Sequence, residues 1–413
     1  MSTQAARSIR LTHTSAQQGF RLLELPRELL GILSSDDAPL LELKSTPTAP
    51  DENSTEGEQE YINLCTPTQT YRVRQVQSSN SIHVLRPSQG LHGNPTSDGA
   101  DNNENEEELG LAESVTSIAK CSSTLELHMP REEFSAIPFL LKVLKVYNRL
   151  SSDGDVPVHA DMDVDVGMGM GDSETLPSGK NGRGGRSIKD RIFADIPVSQ
   201  AQCEKAWNHL CAFIYDNASR GHQEGPCWRP APLVKLDVWK RMVEGAVLQD
   251  INLEKQFLVD DLWKALLDDD GIAEPEKGPF PRDLFDAVIR RVCESDQQGF
   301  DSGRKWASID RATCVQWVGE TYLEAMAPME DSAIGRSEFL NAWKDHLPES
   351  WRDGVALTEL PDGSYRCPDP TTIYYMDYSE RQRAKKLPAE KNAVAAAKKT
   401  RNWHELFKNQ RRR

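Results

Sequence analysis

A chain of 413 residues, 38% of them hydrophobic and with a mean hydropathy of -0.60, has room for two to four domains with real cores and a large solvated surface. Its eight cysteines form no C-x-x-C pair, no early apolar run resembles a signal peptide, and no stretch approaches about 18 uninterrupted apolar residues, so the expectation is a reduced, intracellular protein without a membrane span. Net charge is -15 but uneven: residues 381–413 carry twelve Lys/Arg against Glu390 and Glu405, a net of +10 that leaves -25 on the rest. An acidic body with a basic tail fits a protein partner for the body and an anionic partner or import receptor for the tail.

Residues 1–17 are polar and read as a disordered N-terminus. Phe20 to Leu25 is expected as a strand, Pro26 opens a short helix at a tolerated position, and Leu40 to Lys44 is a second strand. Pro/Thr breaks and acids make 45–59 a disordered insertion. Residues 61–85 then read as three short strands: Tyr61 to Cys65, a segment with Tyr71, Val73 and Val76, and, past a Ser-Ser-Asn-Ser turn, Ile82, Val84 and Leu85. Residues 88–115 form a second expected disordered insertion, rich in Gly, Asn and acids. Ser117 to Cys121 and Thr124 to Met129 are expected strands, and Phe134 to Leu150 has helix spacing with a wide apolar face. Residues 151–186 read as a flexible linker. Its alternating Asp161, Asp163 and Asp165 lack the glycine and closing glutamate of a calcium loop.

From residue 187 a weak repeat of amphipathic helix, polar loop and short aromatic segment appears. The helices are Ser199 to Leu210, with Ser199 as N-cap, Pro281 to Val292, and Ser337 to Leu347; the aromatic segments centre on Trp228, Trp306 and Tyr365, the last reached through a Pro361-Asp362-Gly363 turn signal. Further helices are expected at Leu233 to Leu248, Leu253 to Leu267 and Thr313 to Met326. The pattern fits tandem winged helices, and it equally fits an irregular helical domain with incidental hairpins.

No phosphate loop, dinucleotide fingerprint, H-E-x-x-H or G-x-S-x-G occurs, and the nine His complete no zinc spacing with the cysteines. The expectation is a non-enzyme with no catalytic, cofactor-binding or metal residue. Candidate phosphate contacts are Lys235, Lys240 and Arg241 on one helix, Arg290 and Arg291 ending another, Arg304 and Lys305 beside an aromatic segment, and Lys398, Lys399 and Arg401 in the tail. Lys385-Lys386 and Lys398-Lys399 also read as a nuclear import signal.

Phe20 to Leu25, Leu40 to Lys44, Leu64-Cys65-Thr66, the Thr70-Tyr71-x-x-Arg74-x-Val76 segment and Ser78-Ser79-Asn80-Ser81 together resemble the "defective in sister chromatid cohesion" family of the alternative replication-factor-C-like clamp loader. Trp403, Leu406 and Phe407 are similar to an aromatic anchor near that family's C-terminus, although this chain ends in Arg411-Arg412-Arg413 where family members usually continue with an apolar stretch. The resemblance implies an α+β protein: an N-terminal β-barrel-type region, residues 18–150, completed by partner subunits, followed by three winged helices at 187–252, 253–328 and 329–380 and a basic tail at 381–413. The implied partners are a small cohesion subunit, the C-terminal segment of the clamp loader's large subunit, the leading-strand polymerase, DNA, and the sliding clamp through the complex. Leu64, Cys65, Tyr71, Val73, Val76, Ile82 and Val84 are the implied partner-binding residues. The missing phosphate loop makes this a non-ATPase subunit. A free-standing winged-helix regulator would need a recognition helix dressed for base edges, which Asp283 to Cys293 is not.

Overall fold

The computed structural model describes residues 10–13, 18–45, 62–88, 114–129, 134–149, 187–215, 227–269, 278–293 and 305–383. The chain divides into two units, the first from Met1–Phe134 with Ala194–Gln202, the second from Ser135–Phe193 with Cys203–Arg413.

The first unit is an open sheet with a short helix. Its elements are β1 (Arg10–His13), β2 (Leu22–Glu24), α1 (Arg27–Leu33), β3 (Glu42–Ser45), β4 (Ile62–Cys65), β5 (Thr70–Ser88) and β6 (Ser114–His128). The strand order is β1-β6-β5-β4-β3, with β2 also on β6; β1 and β2 run parallel to β6 and the other pairs are antiparallel. Pro26 precedes α1, and its carbonyl accepts the Leu30 N–H at 3.0 Å, so a residue without an N–H opens the helix at no cost. Leu29 is fully buried with Leu64 and Tyr71, flanked by Leu25, Leu33, Leu41, Val73 and Leu127.

Several sequence expectations change here. Arg10–His13, expected in a disordered terminus, is a strand whose register on β6 runs from Ser114 to Ser117. The Ser-Ser-Asn-Ser run does not turn the chain. β5 continues through it, and residues 78–81 sit opposite Ser122 alone, between the pairs Gln77↔Ser123 and Ile82↔Cys121. A polar run is absorbed as an irregularity when both flanks keep their ladder. The two strands expected over Ser117 to Cys121 and Thr124 to Met129 are likewise one strand, β6, which ends at His128, with a smaller shift opposite Val84/Leu85. The expected insertions at 45–59 and 88–115 fall outside the described residues except at their ends, where Ser45, Ser88 and residues 114–115 belong to strands. The linker 151–186 and residues 384–413 also lie outside them.

The second unit contains α2 (Ile137–Val143), β7 (Lys145–Tyr147), α3 (Ile188–Asp195) and α4 (Gln200–His209), the last two running into the 194–202 segment of the first unit. It continues with β8 (Phe213–Ile214), β9 (Cys227–Pro230), α5 (Pro232–Leu248), β10 (Phe257–Leu258), α6 (Val259–Asp269), α7 (Arg282–Val292), β11 (Trp306–Ala307), α8 (Arg311–Met326), β12 (Ile334–Gly335), α9 (Arg336–Asp345), β13 (Tyr365–Arg366) and β14 (Thr372–Tyr375). The expected helix over 134–150 is cut short. Leu144 turns extended with ψ 128, and β7 pairs parallel with β9, since Val-Leu-Lys-Val-Tyr suits a strand as well as a helix once an edge is offered. The helix expected from Leu253 starts only at Val259, because Phe257 and Leu258 are taken into a ladder with β11.

Each expected aromatic segment is a strand of a small antiparallel pair, β8-β9, β10-β11 and β13-β14. Pro361–Ser364 closes as a turn, with Gly363 at φ 74 and Ser364 N–H on Pro361 O at 2.9 Å, and feeds β13. A single cluster of buried side chains runs from Cys211 to Met376, including Trp239, Phe285, Phe339, Trp343 and Trp351. The three expected repeats therefore share one core. The architecture is mixed α+β, and among the described residues no sheet closes into a barrel.

Candidate functional site

The candidate partner surface begins from residues that lie inside the first unit. Leu64, Cys65 and Tyr71 are 5%, 2% and 1% exposed, so they build this chain's own core. Val73 packs half-buried against the same cluster. On the sheet's other face, segment 194–202 is stitched down by polar groups. Asn63 Nδ2 donates to Pro197 O at 2.7 Å, Lys44 Nζ to Val198 O at 3.2 Å, and Thr70 Oγ1 to Gln202 Oε1 at 2.6 Å, while Thr70 Oγ1 accepts from Ser199 N at 2.7 Å. Ser199 Oγ also accepts from Gln202 N at 3.3 Å, the N-cap role expected for it.

Beyond Val73 the outer edge of β5 pairs with no strand among the described residues. Val76 and Val84 lie half-buried along it, and Ile82 is exposed there. The apolar side chains most open to water in this unit, Leu40, Leu43, Leu11, Met129, Leu30 and Ile62, are not among the expected partner-binding residues. Leu43 pairs with buried Leu64, and Ile62 with Val73, so both extend the α1-facing side of the sheet toward its β3 edge. Their alternation was readable, but the burial of their neighbours was not.

The candidate cations are also re-sorted. Lys235 is 9% exposed, with Nζ 3.1 Å from Glu324 Oε2. Burial pulls its ammonium down, but Glu324 outweighs that and holds it above its ordinary value. Lys235 is thus a core ion-pair partner and offers no surface to phosphate. One turn earlier on α8, Glu320 takes Arg381 Nη2 at 2.8 Å; Arg381 also donates Nε to Met376 O at 2.7 Å and covers the Tyr375 ring at 5.1 Å. Lys240 sits on the surface 3.8 Å from Glu244, Arg241 is half-buried, and Arg290 and Arg291 are half-buried at the end of α7. Lys305 is exposed. Arg304, Lys398, Lys399 and Arg401 lie outside the described residues. At the end of α4, the His209 imidazole is held below its ordinary value first by desolvation of the ring and then by Arg291.

Burial pushes the thiols of Cys65, Cys211, Cys227 and Cys314 up, which disfavours the thiolate a nucleophile needs. Among the described residues no group of three or more His, Cys, Asp or Glu is placed to hold a metal, and no helix is long and apolar enough to cross a membrane. What the geometry offers is surface: an unpaired strand edge with apolar side chains in one unit, and exposed cations in the other. The family model described as Sister chromatid cohesion protein Dcc1 matches residues 20–382, and no curated protein matches the chain.

Proposed function

The chain belongs to the sister chromatid cohesion protein Dcc1 family, and from that premise we propose that it acts as a non-enzymatic, non-ATPase subunit of the alternative clamp loader in the nucleus. Family membership places the chain in sister chromatid cohesion. The first unit joins the large subunit's C-terminal segment and a small cohesion subunit, which complete its sheet toward barrels. The second unit, read as tandem winged helices with a basic tail, reaches the leading-strand polymerase and DNA, and so the sliding clamp.

The observation that carries this reading is the outer edge of β5 after Val73. No described strand pairs with it, and Ile82 and Leu85 on it are 45% and 48% exposed. An edge of that length is an aggregation hazard unless another chain pairs with it. The test is affinity purification of the full chain with identification of its companions. The two clamp-loader subunits should co-purify, and the double substitution Ile82→Lys with Leu85→Lys should release them without changing the melting of the isolated chain. Recovery of the wild-type chain without either subunit would overturn the proposal.

A further inference from the structure

Residues 329–380 and the chain that follows them carry opposite charge. The first stretch has eleven Asp/Glu against four Lys/Arg, a net of -7, and residues 384–413 have ten Lys/Arg against two Glu, a net of +8. Where the acidic stretch begins, at the end of α8, apolar surface is open to water: Met326 is 44% and Met329 62% exposed, on either side of buried Ala327. Ser332 holds Met329 in place, its Oγ accepting the Met329 N–H at 3.0 Å and donating to Met329 O at 2.8 Å. Glu330 and Asp331 come next, exposed and in no ion pair among the described residues.

The chain leaves the described residues beside this patch. Tyr375 N–H donates to Ala327 O at 2.8 Å, and the Tyr375 ring lies under Arg381 at 5.1 Å. Arg381 is also fixed by Glu320 at 2.8 Å, so the start of the tail is tied to α8. Next to Arg381, Glu380 Oε2 is buried and accepts no hydrogen bond from the described residues. A buried acceptor without a donor is costly, and the sequence that follows is rich in donors.

We propose that residues 384–413 dock on the second unit's own surface, with Trp403, Leu406 and Phe407 covering Met326 and Met329 while the tail's cations meet Glu330, Asp331 and Glu380. Those three apolar residues have the i, i+3, i+4 spacing of one helix face, and Lys398, Lys399 and Arg401 come just before them. Residues 384–402 would span roughly 28 Å even as a helix, at about 1.5 Å per residue, which is long enough to fold back. Methionine suits the role, because its thioether adapts to aromatic partners and gains from sulfur–ring contact. The occupant is this chain's own tail because it starts at the patch, and a tethered segment is held at an effective concentration on the order of 1 mM. The docking stands apart from the clamp-loader reading and from the family match, which ends at residue 382. It shelters the tail, so an anionic partner gains the cations only by displacing these acids.

The experiment is methionine oxidation of the full chain by dilute hydrogen peroxide, followed peptide by peptide with mass spectrometry. Met129, 56% exposed in the first unit, is the internal reference. A tail site with a Kd of about 0.1 mM is filled about nine-tenths of the time at an effective concentration on the order of 1 mM. Trp403→Ala combined with Leu406→Ala and Phe407→Ala should therefore speed oxidation of Met326 and Met329 by roughly tenfold and leave Met129 unchanged. Glu330→Lys with Asp331→Lys, or raised salt on the wild type, should give a smaller increase at the same two methionines. Equal rates at Met326 and Met329 in the wild type and the tail variant overturn the proposal. So does protection that fades as the wild-type chain is diluted, because the occupant is then the tail of a second copy.

Discussion

Gly319 allows a direct test of how tightly the second unit's core is fitted. It lies within α8, beneath the indole of Trp343 from α9. A methyl group added there would come within 2.7 Å of Cδ2 and 2.5 Å of Cζ2, and nearer still to Cε2. The indole has no room to retreat. Trp343 is fully buried, stacks on Phe339 with ring centroids 5.4 Å apart, and donates Nε1 to Val315 O at 2.8 Å. Restoring normal contact needs a shift of about 1 Å, and overpacking of this kind costs about 1–3 kcal/mol. If the shift also breaks the indole hydrogen bond, unpaired buried groups add about 1–3 kcal/mol more. Alanine's better helix propensity returns about 1 kcal/mol. Gly319→Ala is therefore expected to destabilise this unit by about 2 kcal/mol or more. Urea unfolding of the full chain, followed by tryptophan fluorescence and near-UV circular dichroism, measures it. Gly31→Ala, where nothing lies within 4 Å of the added carbon, should instead be neutral or stabilising by up to about 1 kcal/mol. A Gly319→Ala protein as stable as wild type would refute the close-packing argument.

Lys235→Ala should cost about 3 kcal/mol, because it strands Glu324 in a largely buried position, whereas Lys240→Ala should stay within about 0.5 kcal/mol, as exposed pairs do; equal effects in urea titrations would contradict the placement of Lys235 in the core. Thr70→Val removes both hydrogen bonds that hold Ser199 and Gln202, and a loss of about 1–3 kcal/mol is expected, with Thr70→Ser close to wild type; differential scanning calorimetry of the three proteins checks this. His209 should titrate below its ordinary value near 6.5 in an NMR pH series, and Arg291→Gln should move its midpoint up. The unfolded chain then takes the proton first as pH falls, so this residue's contribution to stability is present above about pH 6.5 and declines below it. A midpoint at or above 6.5 would contradict the cationic surroundings assigned to it.

Local chemistry explains what the sequence made legible. Pro26 and Ser199 announce helix starts through backbone geometry and side-chain reach, which do not depend on distant residues. The segments around Trp228, Trp306 and Tyr365 read as strands because their composition suits a half-buried pleat. The failures share one cause, which is pairing across long sequence separation. Nothing near Ser78-Ser79-Asn80-Ser81 says that β6 continues on the other side, and nothing near Val143 says that β9 waits for β7. Lys235 was read as a surface cation because its acid partner lies on α8, far along the chain. The family signature in residues 20–85 was legible because its pieces are local. The candidate surface was only half legible: Leu64 and Tyr71 carry the motif yet face inward, while Leu43 and Ile62 reach the open edge.

Segment 194–202 has a consequence for how the protein is made. The first unit's sheet is complete in sequence by residue 134, but the face bearing Asn63 and Thr70 is not satisfied until Ser199 and Gln202 leave the ribosome. At typical elongation rates of about 5–20 residues per second, that wait is roughly 3–14 s. During it the nascent sheet holds an unsealed polar face on one side and an open apolar edge along another. Such a chain is a natural client for a ribosome-bound chaperone. The same interval is when a partner strand, if already present, meets the β5 edge before the rest of the second unit, from Cys203 on, has been translated, so assembly on the ribosome would be favoured over assembly from finished subunits.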